Sequence, residues 1–242
     1  MSEPHPKAPP RAATRPTHPG VAIPLLATLG LALPACSEKK QQAEEKRLLV
    51  IDGIEVLFED LQPYVDFLTS FRPESGEKTK YIWALREHVL PLFAARRAFK
   101  AERAVQLERA EALCSVATNI LELEQRSELI EHKRRSNMTR INAKLPVAMF
   151  LFDELMTNAV SGPVELPQGY FVVGSYDLHT APMTISNYVD ALQVGFITHT
   201  SKEWYDWWLE EQQRIADKVT FVHPDYRDNL PGWIKIPEDK KS

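Results

Sequence analysis

The sequence predicts a mainly helical fold with a small β element, which places the protein in the α+β class. Apolar residues recur at spacings of three and four through much of residues 59–112, and the same spacing returns over residues 201–217. This periodicity is typical of amphipathic helices. The β-branched and aromatic side chains that favour strands are concentrated in the short runs 48–56, 170–173 and 219–222.

The first residues have the pattern of an export signal. Residues 1–20 are rich in proline and carry three basic residues against one acid, and residues 21–35 (VAIPLLATLGLALPA) are apolar and uncharged. An apolar run of about 15 residues is shorter than the roughly 20 that a membrane-spanning helix needs. A basic stretch, a short apolar core and a small residue before the cleavage site are the marks of a secretory signal peptide.

The end of this run, LPAC, resembles the lipobox of bacterial lipoproteins, although Pro34 is unusual in that box. The resemblance implies cleavage before Cys36 and a diacylglycerol thioether on its sulfur. A plain signal peptide and an uncleaved membrane anchor are the alternatives, and export to the bacterial cell envelope follows from each. Ser37 stands where an inner-membrane retention signal would carry Asp, which favours the periplasmic face of the outer membrane. We interpret residues 37–47 (SEKKQQAEEKR) as a solvated tether, because they are charged and lack apolar periodicity.

The composition of the exported chain argues against nucleic acid as a partner. Residues 1–36 hold three Lys/Arg and one acid, so their removal leaves 26 basic and 32 acidic residues and a net charge near −6. An acidic protein is repelled by a phosphate backbone. Cys36 and Cys114 are the two cysteines, so a lipid on Cys36 leaves no internal disulfide. Cys114 lies in an apolar helical stretch and is predicted to be a small buried side chain.

The elements that follow the tether begin with a predicted hairpin. Asp52-Gly53 is a tight-turn signal between two β-prone runs. The first helix begins near Glu59, and we expect Pro63 to be tolerated only in its first turn. In the second helix, Pro91 must cause a kink or a restart.

The middle of the chain has weaker patterns. Residues 113–135 are predicted to be helical by composition, residues 132–140 to be a basic solvated surface, and residues 175–196 to hold a loop with a short helical piece. The basic surface is either a patch for an anionic partner or an ordinary solvated face. Its central residues are Lys133, Arg134 and Arg135.

The C-terminal part contains the clearest helix, residues 201–217. Thr200 and Glu203 form a capping-box pattern at its start. We predict a short strand at residues 219–222 and a loose tail at residues 228–242. The helix also carries four aromatic residues within five positions: Trp204, Tyr205, Trp207 and Trp208. Either the tryptophans seal the core, or part of this aromatic belt lines a groove for apolar segments of unfolded polypeptides.

Three segments resemble the N-terminal module of SurA-like periplasmic folding factors: residues 50–68, 83–102 and 203–227. Asp52-Gly53 matches the turn of that family, and Leu57 stands where its sequences usually carry Thr. The resemblance implies a helical module closed by the C-terminal helix and strand. The strands near 48–51 and 219–222 should then lie in one small sheet.

Residues 145–173 resemble the last third of a parvulin-type prolyl isomerase domain. The parvulin-equivalent strand is Gly169, Tyr170 and Phe171, and Phe171 occupies the place of a histidine that parvulins bury beneath the bound proline. Asn119 would stand for the other histidine, on a weak match. From Asn119 to Gly169 there is too little chain for the whole domain, so the resemblance implies a reduced remnant, with Phe171 in the core.

The resemblance divides the chain into five parts. These are a signal peptide (1–35), a lipid anchor and tether (36–47), a SurA-like helical segment (48–112), a helical connection with the parvulin-like remnant (113–180), and a C-terminal segment that closes the first module and ends in a tail (181–242).

The implied function is a lipid-anchored, chaperone-like folding factor that binds unfolded or exported polypeptides. We expect no catalytic residues, no metal and no cofactor, because the seven histidines lack metal-ligand spacing and no nucleophile or phosphate-loop motif occurs. A divergent peptidyl-prolyl cis-trans isomerase and a structural or adaptor lipoprotein with one dedicated partner are the alternatives.

Overall fold

The computed structural model describes residues 45–152, 158–180 and 186–237, so the predicted signal peptide, Cys36 and most of the tether lie outside it. The strands are β1 (Arg47–Ile51), β2 (Ile54–Leu57), β3 (Lys133–Thr139), β4 (Val164–Leu166), β5 (Gly169–His179), β6 (Tyr188–Ile197) and β7 (Val219–Val222). The helices are α1 (Phe58–Phe71), α2 (Glu77–Ala84), α3 (Leu90–Ala98), α4 (Lys100–Cys114), α5 (Ile120–Arg126), α6 (Leu145–Leu151) and α7 (Ser201–Ile215). This is the α+β class that the sequence predicts. None of the helices in these ranges combines the length and the apolar character that a membrane crossing requires.

A three-stranded antiparallel sheet brings the two ends of the described chain together. Its order is β2-β1-β7. The β1–β2 hairpin turns at Asp52 and Gly53, which have φ angles of 49° and 75°, as a two-residue hairpin turn requires. Leu49 pairs with Val222 across β1 and β7. The prediction that the strands near 48–51 and 219–222 share one sheet is therefore confirmed.

Helices α1 to α3 and α7 cover this sheet. Pro63 lies in the second turn of α1, so the expectation that it belongs in the first turn is wrong. Pro91 lies at the start of α3, directly after a π-helical turn at Leu85–Val89. The backbone is helical on both sides of that turn, so of the predicted kink or restart the restart does not occur. Helix α7 begins with the predicted capping box between Thr200 and Glu203.

A four-stranded antiparallel sheet of order β3-β6-β5-β4 occupies the middle of the chain. Two predictions fail here. Residues 113–135 are not a continuous helix, since α5 is short and β3 follows it, and Asn119 is the N-cap of α5 rather than a strand residue. Residues 188–197 are not a loop but the strand β6, which pairs along most of β5. Of the C-terminal segment, only the part from α7 onward therefore packs on the first sheet.

Each sheet has its own apolar core. Leu48, Ile51 and Val56 are fully buried in the first core, beneath the helices that cover the three-stranded sheet. On the second sheet, Val172 and Val194 face α4 and α5, and Val173 and Ala191 face α6. We call the three-stranded sheet with α1–α3, α7 and residues 223–237 at the end of the C-terminal segment the first half. The four-stranded sheet with α4–α6 is the second half.

Residues 223–237, the last described part of the C-terminal segment, pack on the first half. A 3₁₀ helix at Pro224–Asn229 buries Tyr226, and Ile234 is buried in the same core. Trp233 packs edge-on against Trp208, with 6.0 Å between the ring centroids. The prediction of a loose tail is wrong for residues 228–237, and residues 238–242 lie outside the described ranges.

A buried arginine fastens α4 to the β4–β5 turn. The side chain of Arg103 is 3% exposed and donates to the main-chain oxygens of Pro167 (2.7 Å) and Leu166 (3.0 Å). It also donates to Glu165 at 2.8 Å. Arg96 of α3 binds the same carboxylate through two nitrogens. Glu165 therefore joins the two halves of the molecule.

Candidate functional site

A cleft of about 490 Å³ lies on the α6 face of the four-stranded sheet. It is bounded by β3, by the β4–β5 turn, by the segment before α6 and by the segment before α7. The lining residues are Glu131, His132, Lys133, Arg134, Met138, Asn142, Ala143, Lys144, Leu166, Gln168, Phe171, Gln193, Ile197, His199 and Ser201.

The floor of the cleft is apolar and partly open. The Phe171 ring lies over Gly195 of β6, where a Cβ atom would stand only 2.9 Å from its Cε1. The absence of a side chain at Gly195 therefore lets the ring lie against the sheet. Leu166 is buried beside it, whereas Phe171 and Ile197 are half-buried. The expectation that Phe171 is an enclosed core residue is correct only in part.

The β4–β5 turn fixes one end of the cleft. Gly169 has a φ angle of 149°, and a Cβ atom there would lie 2.3 Å from the main-chain oxygen of Phe196. A glycine is therefore required at this close approach of two backbones. The main-chain oxygen of Gln168 accepts from the N–H of Thr198 at 2.8 Å and from its hydroxyl at 3.0 Å.

The side-chain amide of Gln193 adds a polar group to the floor. Its Nε2 atom donates to the Met138 sulfur at 3.3 Å, which orients the amide along β3. Gln193 pairs with Arg134 of β3 and with Val173 of β5. The lining thus holds three side-chain amides, of which that of Gln193 lies on the floor with the two half-buried apolar side chains.

The rim of the cleft is basic. Three cationic side chains, Lys133, Arg134 and Lys144, line it together with His132 and His199, and Glu131 is the acid of the set. Within the described ranges, no acidic side chain forms an ion pair with any of these three cations. The cleft is therefore locally positive on a chain whose net charge is −4.

Strand alternation separates the basic run that the sequence presents as one patch. Arg135 lies on the opposite face of the sheet from the cleft, where its guanidinium stands 4.0 Å from the centroid of Tyr176. It is 3.8 Å from Asp190 and 4.0 Å from Glu124. Its charge is already partly balanced. Arg134 lies on the cleft face with Gln193, whereas Lys133 pairs with Val194 of the other face and lines the cleft from the edge of the strand. The predicted solvated surface is largely exposed, and it forms an edge strand.

One edge of β3 carries no partner strand among the described residues. Gly195 donates its N–H to the main-chain oxygen of His132 at 2.8 Å, so His132 is bonded toward β6. Because antiparallel pairing alternates along the strand, the main-chain groups of Lys133, Arg135 and Asn137 face the open edge. Such an edge is a template on which a further strand can pair.

The predicted aromatic belt lies on the first half, and none of its four residues lines the cleft. Trp204 is buried, and Trp207 and Trp208 are half-buried against it, so the structure brings these three together. Trp207 also packs on Phe99, with 4.7 Å between the ring centroids. Tyr205 is 60% exposed and does not join this cluster.

The three residues of the parvulin-equivalent strand have different environments. Gly169 and Phe171 lie at the cleft, as described. Tyr170 points to the opposite face, where its ring lies 5.2 Å from the Arg103 guanidinium and its hydroxyl donates to Glu165 at 3.2 Å. Tyr170 therefore belongs to the contacts that hold α4 on the sheet.

The buried ionisable groups lie outside the cleft. Burial alone would raise the pKa of Glu165, but the hydrogen bonds from Arg96 and Arg103 outweigh it and lower the pKa to about 2. Burial lowers the pKa of His88 to about 4, which keeps this 2% exposed ring neutral at physiological pH. Burial also raises the pKa of the Cys114 thiol, which makes it a poor nucleophile. No group of three or more candidate metal ligands occurs in the described ranges.

Several cleft residues were missed by the sequence analysis, among them Gln193, Ile197 and His199. They lie on or just after β6, which was predicted to be a loop with a helical piece. The run YVDALQVGFI is rich in β-branched and aromatic residues, and both of its faces are buried. A mainly apolar run of this length is typical of a buried strand, and it was the signal available.

In comparisons with known proteins, no family model, no curated protein and no solved structure matches the chain. The resemblances to lipoproteins, SurA-like factors and parvulins therefore rest on the sequence motifs alone.

Proposed function

We propose that the protein binds extended segments of unfolded or exported polypeptides in the cleft, as a chaperone-like factor of the bacterial cell envelope. The observation that carries the proposal is the partly open apolar floor of Phe171 and Ile197. Apolar side chains that a folded protein leaves half-exposed in a concavity lose water contact when a ligand covers them, and this stabilises the complex.

The dimensions and polarity of the cleft support a peptide ligand. A volume of about 490 Å³ is within the usual range for ligand sites. The amide of Gln193 can hydrogen-bond to a peptide backbone, and the open edge of β3 runs along one side. Edge-strand pairing supplies affinity through the main chain with little demand on the ligand sequence.

The proposed location rests on the LPAC motif. A lipid on Cys36 and a tether at residues 37–47 would hold the cleft near the membrane surface where exported chains emerge. Cys36→Ser should abolish incorporation of radiolabelled palmitate and leave the precursor uncleaved. Normal labelling of this variant would exclude the lipoprotein assignment.

We expect binding without prolyl isomerisation. The barrier to rotation about the peptide bond is about 18–20 kcal/mol, and lowering it for proline requires a polar network beneath the bound ring. Phe171 has no hydrogen-bonding group in its side chain to contribute to such a network. Catalysis of cis–trans exchange of a proline peptide well above the rate with a control protein would favour the divergent isomerase instead.

The test compares two aromatic truncations in the full-length chain. Phe171→Ala removes half of the cleft floor, and Tyr205→Ala removes an exposed aromatic ring of the α7 belt that does not line the cleft. We expect Phe171→Ala to weaken binding of a labelled, permanently unfolded polypeptide about tenfold, which corresponds to about 1.4 kcal/mol. Tyr205→Ala should bind as the parent does.

Thermal unfolding of both variants provides the control for folding. Phe171 is half-buried, so its truncation should cost less than the 3–5 kcal/mol of an enclosed phenylalanine. If Tyr205→Ala weakens binding and Phe171→Ala does not, the site is the aromatic belt and not the cleft. If several unrelated unfolded polypeptides fail to bind the parent protein, the adaptor alternative is favoured.

A further inference from the structure

We infer that the cleft selects acidic extended segments over neutral and basic ones. This inference rests on the proposed function and adds the chemical class of the ligand. Its basis is the set of three cations, Lys133, Arg134 and Lys144, that surround the apolar floor and form no ion pair with the described residues. Arginine and lysine around a site attract carboxylates and repel other cations, so they set specificity as well as the rate of encounter.

The cations on the two faces of β3 differ in whether acidic side chains lie near them. Arg135 on the far face of the strand has Glu124 and Asp190 within 4.0 Å. Arg134, one position earlier, faces the cleft, and its cross-strand neighbour is the neutral Gln193. Lys144 stands on the opposite wall, before α6. Arg135 is thus partly balanced on one side of the sheet, whereas Arg134 and Lys144 at the cleft have no ion-pair partner among the described residues, and Glu131 is the one acid of the lining.

The open edge of β3 increases the preference for acidic segments over basic ones. Charged side chains on an edge strand hinder pairing with other chains, because the approaching strand would have to desolvate them. A segment with acidic side chains removes this obstacle, since each carboxylate meets a cation of the rim. A basic segment would add like-charge repulsion, which is how specificity is commonly built against unwanted partners.

The shape of the site favours a peptide over other anionic partners. The apolar floor lies in a concavity bounded on several sides, which a flat membrane surface cannot enter. An acidic polypeptide in extended conformation can place alternate side chains on the floor and on the rim, because successive side chains of a strand point in opposite directions.

The experiment measures the binding of three labelled peptides of equal length to the full-length chain in nonionic detergent. Valine alternates with glutamate in the first peptide, with glutamine in the second and with lysine in the third. We expect the glutamate peptide to bind at least about tenfold more tightly than the lysine peptide, since each exposed ion pair contributes roughly 0.2–1 kcal/mol. Added salt should reduce this preference because it screens the rim charges.

Two triple variants with the same change in net charge locate the effect. Lys133→Gln, Arg134→Gln and Lys144→Gln together should lower the affinity for the glutamate peptide about tenfold and leave that for the glutamine peptide nearly unchanged. Lys46→Gln, Lys100→Gln and Arg126→Gln together, at exposed positions outside the cleft lining, should leave both affinities unchanged.

The possible failures are distinguishable. Equal affinity for the glutamate and lysine peptides, or equal effects of the two triple variants, would overturn the charge selectivity while leaving the binding function in place. Binding of none of the peptides would overturn the proposed function itself. Binding to anionic lipid vesicles that depends on the rim cations, without a preference among the peptides, would assign the rim to the membrane.

Discussion

At the scale of single residues, Glu165 is an acidic side chain that joins the two halves of the molecule. Its side chain is 21% exposed, yet it accepts hydrogen bonds from Arg96, Arg103 and Tyr170. A carboxylate held by two guanidinium groups is stabilised in its charged form, which is the cause of its low pKa. The charge of Glu165 is therefore part of the folded structure.

Glu165→Gln gives a pH-dependent prediction. The pKa of Glu165 is about 2 in the folded chain, below the usual value of 4.5 for a glutamate, so its contribution to stability is present above about pH 4.5. That contribution is lost as the pH falls through about 2. Allowing for screening by solvent, we expect the parent to be more stable than the variant by about 1–2 kcal/mol at neutral pH.

Urea unfolding of both proteins, in buffers from neutral pH down to about pH 2, measures this difference. It should shrink steadily below about pH 4.5. A difference that stays constant over this range would show that the charge of Glu165 contributes nothing and that only its shape matters.

At the scale of elements, the local signals of the sequence were sufficient for turns and caps but not for the second sheet. Asp52-Gly53 and the Thr200–Glu203 box specify their structures through the backbone conformations and hydrogen bonds of adjacent residues, and both predictions hold. Strand β3 reads KRRSNMT, which has neither apolar alternation nor strong strand propensity. It is a strand because β6 lies beside it, and that pairing joins residues 49 to 61 positions apart.

The cleft was beyond prediction for the same reason. Its floor combines residues of β4, β5 and β6, and its rim combines β3 with the segments before α6 and α7. Of its lining residues, Phe171, Lys133 and Arg134 were singled out in advance, but the two cations as part of a basic surface and not of a cleft. The sequence gives no indication that Arg134 and Arg135 point to opposite faces, because that follows from the strand assignment.

The β4–β5 turn provides the prediction at this scale. In Gly169→Ala the new Cβ atom would collide with the main-chain oxygen of Phe196, and the φ angle of 149° is unfavourable for alanine. We expect a loss of about 1–3 kcal/mol in the free energy of unfolding. Gly162→Ala is the matched control, because a Cβ atom there meets no atom within 4 Å.

Thermal unfolding of the two alanine variants gives the comparison. A melting temperature for Gly169→Ala equal to that of Gly162→Ala would mean that the turn can relax without cost. The two backbones would then not be as tightly fixed at the end of the cleft as described above.

At the scale of the whole molecule, two sheets with separate cores are joined by few polar contacts. Arg96 belongs to the first half and Glu165 to the second, and their ion pair crosses the junction. Phe67 of α1 adds an apolar contact with the core beneath α6. The cooperativity of folding between the two halves therefore depends on the small number of side chains that contact each other across the junction.

Arg96→Ala should weaken the coupling between the halves. The side chain is half-exposed, so both cores remain intact while the junction loses a bidentate ion pair. We expect the parent to unfold in a single calorimetric transition, and we expect the transition of the variant to be broader or divided into two. Arg86→Ala, which removes an exposed arginine paired with its neighbour Glu87, is the control. An unchanged, sharp transition in Arg96→Ala would show that the apolar contacts alone couple the halves.

The distribution of aromatic residues between the halves has a spectroscopic consequence. The five tryptophans lie at positions 83, 204, 207, 208 and 233, all in α2, α7 or the C-terminal segment of the first half. The four-stranded sheet carries tyrosines 170, 176 and 188 instead. Tryptophan emission therefore records the unfolding of the first half, and unfolding of the second half alone should leave it nearly unchanged.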